Sequence, residues 1–270
     1  MPDREDYMEP ACALCGEPGG EGIPRDRVLE KLRAYEDRND WPGAERHLKY
    51  WVEEARSQGD DRGLLMLNNE LMGYYRKQGK ETEAMAHCAA ALALIEKLGM
   101  GETVTAGTTW VNAGTVHEAF GDPEGALPLF IRARENYEKN LPPEDGRLGG
   151  LYNNMGLCLS AAGRFPEAED LFRRALAVME KQENGQLEQA ITWLNMADAV
   201  SASLPPEEAE PLIGEDLERA ESLLNAESLP RDGYYAFVCE KCAPVFGYYG
   251  WFMTEKELEG RAAEIRARRG

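Results

Sequence analysis

Trp110-Val-Asn-Ala-Gly-Thr-Val-His117, followed nine residues later by Ala126-Leu-Pro-Leu-Phe130, is the stretch whose reading decides the fold. The arrangement recurs 42 residues on, as Tyr152-Asn-Asn-Met-Gly-Leu-Cys-Leu159 and Ala168-Glu-Asp-Leu-Phe172. Working outward, its alanine belongs to a series: Ala44, Ala84, Ala126, Ala168 and Ala209, separated by 40, 42, 42 and 41 residues. Four residues after each stands a residue suited to a core: Leu48, Cys88, Phe130, Phe172 and Ile213. Twelve before stands Leu32, Met72, Gly114, Gly156 or Ala197, and sixteen before stands Val28, Asn68, Trp110, Tyr152 or Trp193. Apolar residues recur in steps of three and four with no sustained period of two, which is the signature of helices. One such unit cannot bury its apolar face alone, so the units must stack.

The turns agree with two helices per unit. Pro42, Glu81, Pro123, Pro166 and Pro206 stand where the second helix of each unit begins. Proline suits a first helical turn because its missing N–H had no intrahelical partner there. Gly79, Gly121 and Gly163 stand where the first helix ends, as a C-terminal glycine should. On this map residues 1–24 are a Pro- and Gly-rich tail, 25–228 are five units, and 229–270 are C-terminal capping helices. In the last segment Thr254-Glu-Lys-Glu257 reads as a capping box opening a helix to about Arg268.

The pattern resembles the tetratricopeptide repeat (TPR), W-x2-L-G-x2-Y followed by A-x3-F. The resemblance implies an all-α, right-handed α-solenoid of five helix pairs, 40–42 residues each, with a degenerate sixth pair as cap. The usual unit has about 34 residues, so the surplus lengthens the helices. Long units with paired asparagines, as at Asn153 and Asn154, are similar in style to those of kinesin light chains and of bacterial intracellular peptide receptors.

The formal charge is −19, from 49 acidic and 30 basic residues. Gripping nucleic-acid phosphates needs a basic face, and anionic membranes attract the same sign, so neither partner is expected. The charge reads as a solvated coat. No run approaches the roughly 18 apolar residues of a membrane span, and the acidic start lacks a secretory pattern. The expected location is cytoplasmic. No HExxH, phosphate loop or nucleophile elbow occurs, so no enzymatic activity is expected.

In the TPR family the first helix of each pair lines the concave surface, and the resemblance places a ligand stripe along it. In the second unit the stripe is Met66, Asn69, Gly73 and Arg76; in the third, Thr108, Val111, Thr115 and Glu118. The fourth gives Gly150, Asn153, Leu157 and Ser160, the fifth Ile191, Leu194, Asp198 and Ser201. Gly73 and Gly150 would leave room for a ligand backbone. An asparagine amide offers donor and acceptor together, so it suits an extended peptide. The candidate peptide-binding residues are Asn69, Arg76, Asn112, Thr115, Asn153, Asn154 and Asn195. Asn112, Asn154 and Asn195 share the position beside the stripe, where they either meet the ligand or bond to a neighbouring segment. Arg33, Arg76 and Lys77 form either a small basic spot or three solvated cations.

Cys12/Cys15 and Cys239/Cys242 are two Cys-x-x-Cys pairs. Together they would supply four thiolates for tetrahedral zinc, within one chain or between two. The alternatives are reduced thiols in the tail for the first pair and a packed helical i,i+3 pair for the second. Apart from zinc no cofactor is expected. The expected function is a non-enzymatic adaptor or scaffold that binds a protein or extended peptide in the groove. The alternatives are a peptide-signal sensor lacking its own effector, and a zinc-linked assembly, a homo-oligomer among its forms, with the tail in its own groove.

Overall fold

The computed structural model describes residues 22–268, and all regular structure among them is helical. The helices form two compact units divided between Leu141 and Pro142. The first holds α1 (Arg25–Glu36), α2 (Trp41–Gln58), α3 (Asp61–Lys77), α4 (Glu81–Lys97), α5 (Val104–Ala119) and α6 (Pro123–Asn140). The second holds α7 (Gly146–Ala161), α8 (Phe165–Met179), α9 (Gln186–Ser203), α10 (Pro206–Leu224), α11 (Gly233–Tyr248) and α12 (Phe252–Ala267). Each odd-numbered helix pairs with the even one after it as a hairpin, and α2, α4 and α8 also pack on the odd helix that follows them. Each unit is thus an all-α stack of helical hairpins, as the sequence pattern predicts. The surplus of the long repeat has gone into the helices, since α3 to α6 run 16 to 18 residues each.

The five alanines of the series are at most 3% exposed, and Leu48, Cys88, Phe130 and Phe172 at most 2%. Gly114 and Gly156 are small for a definite reason. A Cβ on Gly114 would lie 2.6 Å from Cε1 of Phe130, and one on Gly156 would lie 2.5 Å from Cε1 of Phe172. In α3 the same position carries Met72, and its partner in α4 shrinks to Cys88, whose Sγ lies 3.7 Å from the Met72 sulfur. Large and small exchange sides while the pair stays filled.

Gly79, Gly121 and Gly163 take left-handed φ of 66°, 76° and 72°. Each lets the residue after it bond back to the last turn, as Asp122 N does to His117 O at 2.9 Å. Asn39 (φ 55°) makes the same turn between α1 and α2, and Gly250 (φ 83°) makes it between α11 and α12. That last turn corrects the capping box expected at Thr254. Because the chain reverses at Gly250, α12 already starts at Phe252 with Trp251 as its N-cap. Thr254 lies inside the first turn, buried, and its hydroxyl donates to Glu221 Oε1 at 2.6 Å.

Candidate functional site

The candidate residues lie on α3 and α5 of the first unit and on α7 and α9 of the second, and asparagines stitch α3 to α5 and α7 to α9. Asn69 of α3 donates to Leu65 O of its own helix at 3.0 Å and to Thr109 Oγ1 of α5 at 3.1 Å. Its Oδ1 accepts from Asn112 Nδ2 of α5 at 3.0 Å. In the second unit Asn195 Nδ2 of α9 donates to Asn153 Oδ1 of α7 at 2.9 Å. A primary amide has two N–H donors and one carbonyl oxygen. Asn69 therefore spends both donors on the fold. Asn112 and Asn195 each spend one, keeping an oxygen and a second N–H. Of the sequence-derived set, the structure brings together Asn69 with Asn112, and Asn153 with Asn195. Asn154 follows Asn153 on α7 and is half-buried.

In the first pair Asn69 is half-buried and Asn112 is 8% exposed, while the position of Gly73 nearby stands clear. No atom lies within 4 Å of a Cβ built on Gly73, and the same holds for Gly150 in α7. Unlike Gly114 and Gly156, then, Gly73 and Gly150 are not required by internal packing. A mid-helix glycine costs about 1 kcal/mol relative to alanine, here with no packing return inside the chain. Thr115 is half-buried with its hydroxyl on Val111 O at 2.8 Å, and Arg76 is half-buried at the end of α3. Of the basic trio, Arg33 and Lys77 are exposed.

The sixteen-before position, which the sequence marks as recurrent, is held by partners that sequence reasoning missed. The Arg132 guanidinium lies over the Trp110 ring at 4.4 Å, Arg174 over Tyr152 at 4.1 Å, and Arg219 over Trp193 at 4.5 Å. Arg132 and Arg174 stand six residues after Ala126 and Ala168, so the signal was a recurrent offset within the repeat. Where the position is Asn68, the partner is His87, whose Nδ1 lies 2.7 Å from Asn68 Oδ1. Burial lowers the His87 pKa, with help from Arg56 and Lys49. That favours the neutral ring.

Thr109 was also missed. It is fully buried and supplies the oxygen that fixes Asn69.

Cys239 and Cys242 lie on α11 in the apolar core of the last two hairpins, 0% and 1% exposed, among Tyr235, Phe246, Leu258 and Ala262. Burial pushes both thiols up. The packed i,i+3 arrangement is what the structure describes for this pair. Cys12 and Cys15 fall outside the described residues. Among the described residues no three His, Cys, Asp or Glu side chains gather as metal ligands, and no helix is long and apolar enough to cross a membrane.

Stacked helical hairpins with a small-residue and aromatic register define a class, the helical repeat proteins that use the stack as an interaction surface. The model of the tetratricopeptide repeat family matches residues 64–139 and 147–222, more than half of the chain. The chain belongs to the tetratricopeptide repeat family. It is 25% identical over 108 residues to Protein KINESIN LIGHT CHAIN-RELATED 2 of Arabidopsis thaliana, which is 40% of this chain and 16% of that protein. The chain thus spans about a sixth of this relative's length. Among solved structures it resembles BtubC (BKLC) from P. vanneervenii, with a TM-score of 0.65 at 17% identity, covering 77% of this chain and 84% of that one. A putative kinesin light chain repeat protein of Podosopora anserina gives 0.53 at 18%, covering 76% and 95%. At these identities the likeness is one of fold.

Proposed function

We propose that the chain is a non-enzymatic scaffold whose units each bind an extended protein or peptide segment along their own odd-numbered helices, with Asn112 gripping the backbone on one unit and Asn195 on the other. The observation that carries this reading is the hydrogen-bond balance of the asparagine pairs. Asn69 and Asn153 hold the amides of Asn112 and Asn195 in place, and each held amide keeps one donor and one acceptor. A peptide unit offers the complementary pair, whatever its side chain. Holding the amide in advance lowers the ordering cost of binding. Gly73 and Gly150 supply the clearance that a backbone needs at close approach.

The test is a random-peptide display selection on the purified chain, followed by calorimetry of selected peptides against Asn112→Ala and Asn195→Ala. Each loses a hydrogen bond or two to ligand, so affinity should fall about fivefold to tenfold for peptides bound on its unit, with helicity unchanged. Selected peptides that bind both variants as tightly as the unmodified chain contradict the reading.

A further inference from the structure

Tyr249, at the end of α11, donates its hydroxyl to Asp198 Oδ1 of α9 at 2.8 Å, and the Ser201 hydroxyl meets the same phenol. Asp198 and Ser201 belong to the stripe of the fifth helix pair, so the C-terminal end of this face closes on an acid, a hydroxyl and a phenol. Beside them stands Tyr248, its ring 4.9 Å from that of Tyr249 at 82°. Tyr248 is 78% exposed, a large aromatic surface left to solvent. Asp198 is exposed by surface area, although the atoms around its carboxyl desolvate it enough to raise its pKa. Among the described residues its carboxylate meets the Tyr249 hydroxyl and no lysine or arginine. It is also the sole charge on the eight stripe positions of α7 and α9, from Gly150 to Ser201.

We infer that this corner of the 142–268 unit is a subsite for a basic side chain, the lysine or arginine of a bound peptide. A cation seated there meets the free oxygen of Asp198 and the face of an aromatic ring. Together these two attractions favour an ammonium or guanidinium group over a neutral or acidic one. Tyr249 acts as a positioning residue, since its hydroxyl fixes the carboxylate and its ring fixes Tyr248. The net charge of −19 adds long-range attraction for the same sign of ligand. The inference rests on the peptide-binding reading and gives one of its two faces a side-chain preference.

The experiment uses the full chain and small probes, so that it does not depend on first finding a peptide. Nα-acetyl-lysine-N-methylamide and its arginine counterpart are titrated by NMR, with the norleucine and glutamate analogues as controls, while the Tyr248 and Tyr249 ring signals are followed. The basic probes should shift both rings and the controls should not. Asp198→Asn should weaken the lysine probe about fivefold, as should Tyr248→Ala, and added salt should weaken it further. Both substitutions fall on exposed side chains. Equal shifts from lysine and norleucine, or an Asp198→Asn variant that binds lysine unchanged, overturn the subsite. Failure of the parent reading shows elsewhere, in selected peptides that ignore Asn112 and Asn195.

Discussion

Gly114 against Phe130, and Met72 against Cys88, solve one packing problem in two ways. The space between the two helices of a hairpin is filled from whichever side carries the larger side chain. Gly114→Met alone would drive a side chain into the Phe130 ring, and overpacking of this kind costs about 1–3 kcal/mol. Phe130→Cys alone leaves a cavity and costs about 3 kcal/mol. The double variant recreates the Met72/Cys88 pair, so it should be less destabilised than the sum. Denaturant melts should give a coupling of about 1–3 kcal/mol, whereas simple additivity would show that the two positions do not share a space.

Asp216 supplies a second test at this scale. It is 5% exposed on α10, and burial raises its carboxyl to about 6 against the pull of Arg219, whose Nη1 lies 3.2 Å from Oδ1. A carboxyl whose folded pKa exceeds the unfolded value of about 3.9 binds its proton more tightly in the folded chain. Stability is therefore lost as pH rises from about 4 to about 6. Asp216→Asn should raise the melting temperature at pH 7.5, by the equivalent of about 1–3 kcal/mol, and the gain should vanish near pH 4. A gain that is the same at both pH values contradicts the assignment.

Among the elements, the turns and N-caps do most to set where helices start. Asp60 caps α3 through Gly63 N at 2.8 Å, accepts from Ile23 N at 3.0 Å, and pairs with Arg25 at 3.1 Å. One side chain thus ties the approach to α1 onto the start of α3. Asp60→Ala should cost about 2 kcal/mol and speed amide exchange at Ile23 and Gly63 together, while Asp60→Asn should recover part of the loss. Faster exchange at Gly63 with Ile23 unchanged would separate the two roles.

The helix pairs were legible because an alanine followed four residues on by a core residue, at a period of 40–42 residues, fits stacked helical hairpins and hardly any other architecture. The start of α12 was not. Thr254-x-x-Glu257 satisfies the capping-box pattern locally, but a reversal at Gly250, four residues before the threonine, overrides it. A glycine able to take a positive φ is a stronger boundary than a threonine that also fits a buried position. For the cysteine pair at 239 and 242 the spacing gave both a metal reading and a packed one, and the surrounding Tyr235, Phe246 and Leu258 show the packing.

At the scale of the whole molecule, each unit carries its own asparagine pair, and this repetition is the basis of the functional reading. The sequence placed Asn69, Asn112, Asn153 and Asn195 at recurring positions, because spacing is visible in one dimension. It could not show that Asn69 would be used up by Leu65 and Thr109 while Asn112 kept a free donor and acceptor. That depends on which helices lie side by side. The Asp198 and Tyr249 contact was hidden for the same reason, since its partners are 51 residues apart. The charge of −19 counted against phosphate-bearing partners, and the subsite at Asp198 gives it a preferred ligand of opposite sign. The most direct test of the central claim is an NMR titration of the side-chain amide signals of Asn112 and Asn195 with a display-selected peptide. The account predicts that the NH2 resonances of at least one of these asparagines shift in step with binding while the even-numbered helices stay unperturbed. Saturated binding that leaves both asparagines unshifted, with changes confined to the even-numbered helices, would contradict it.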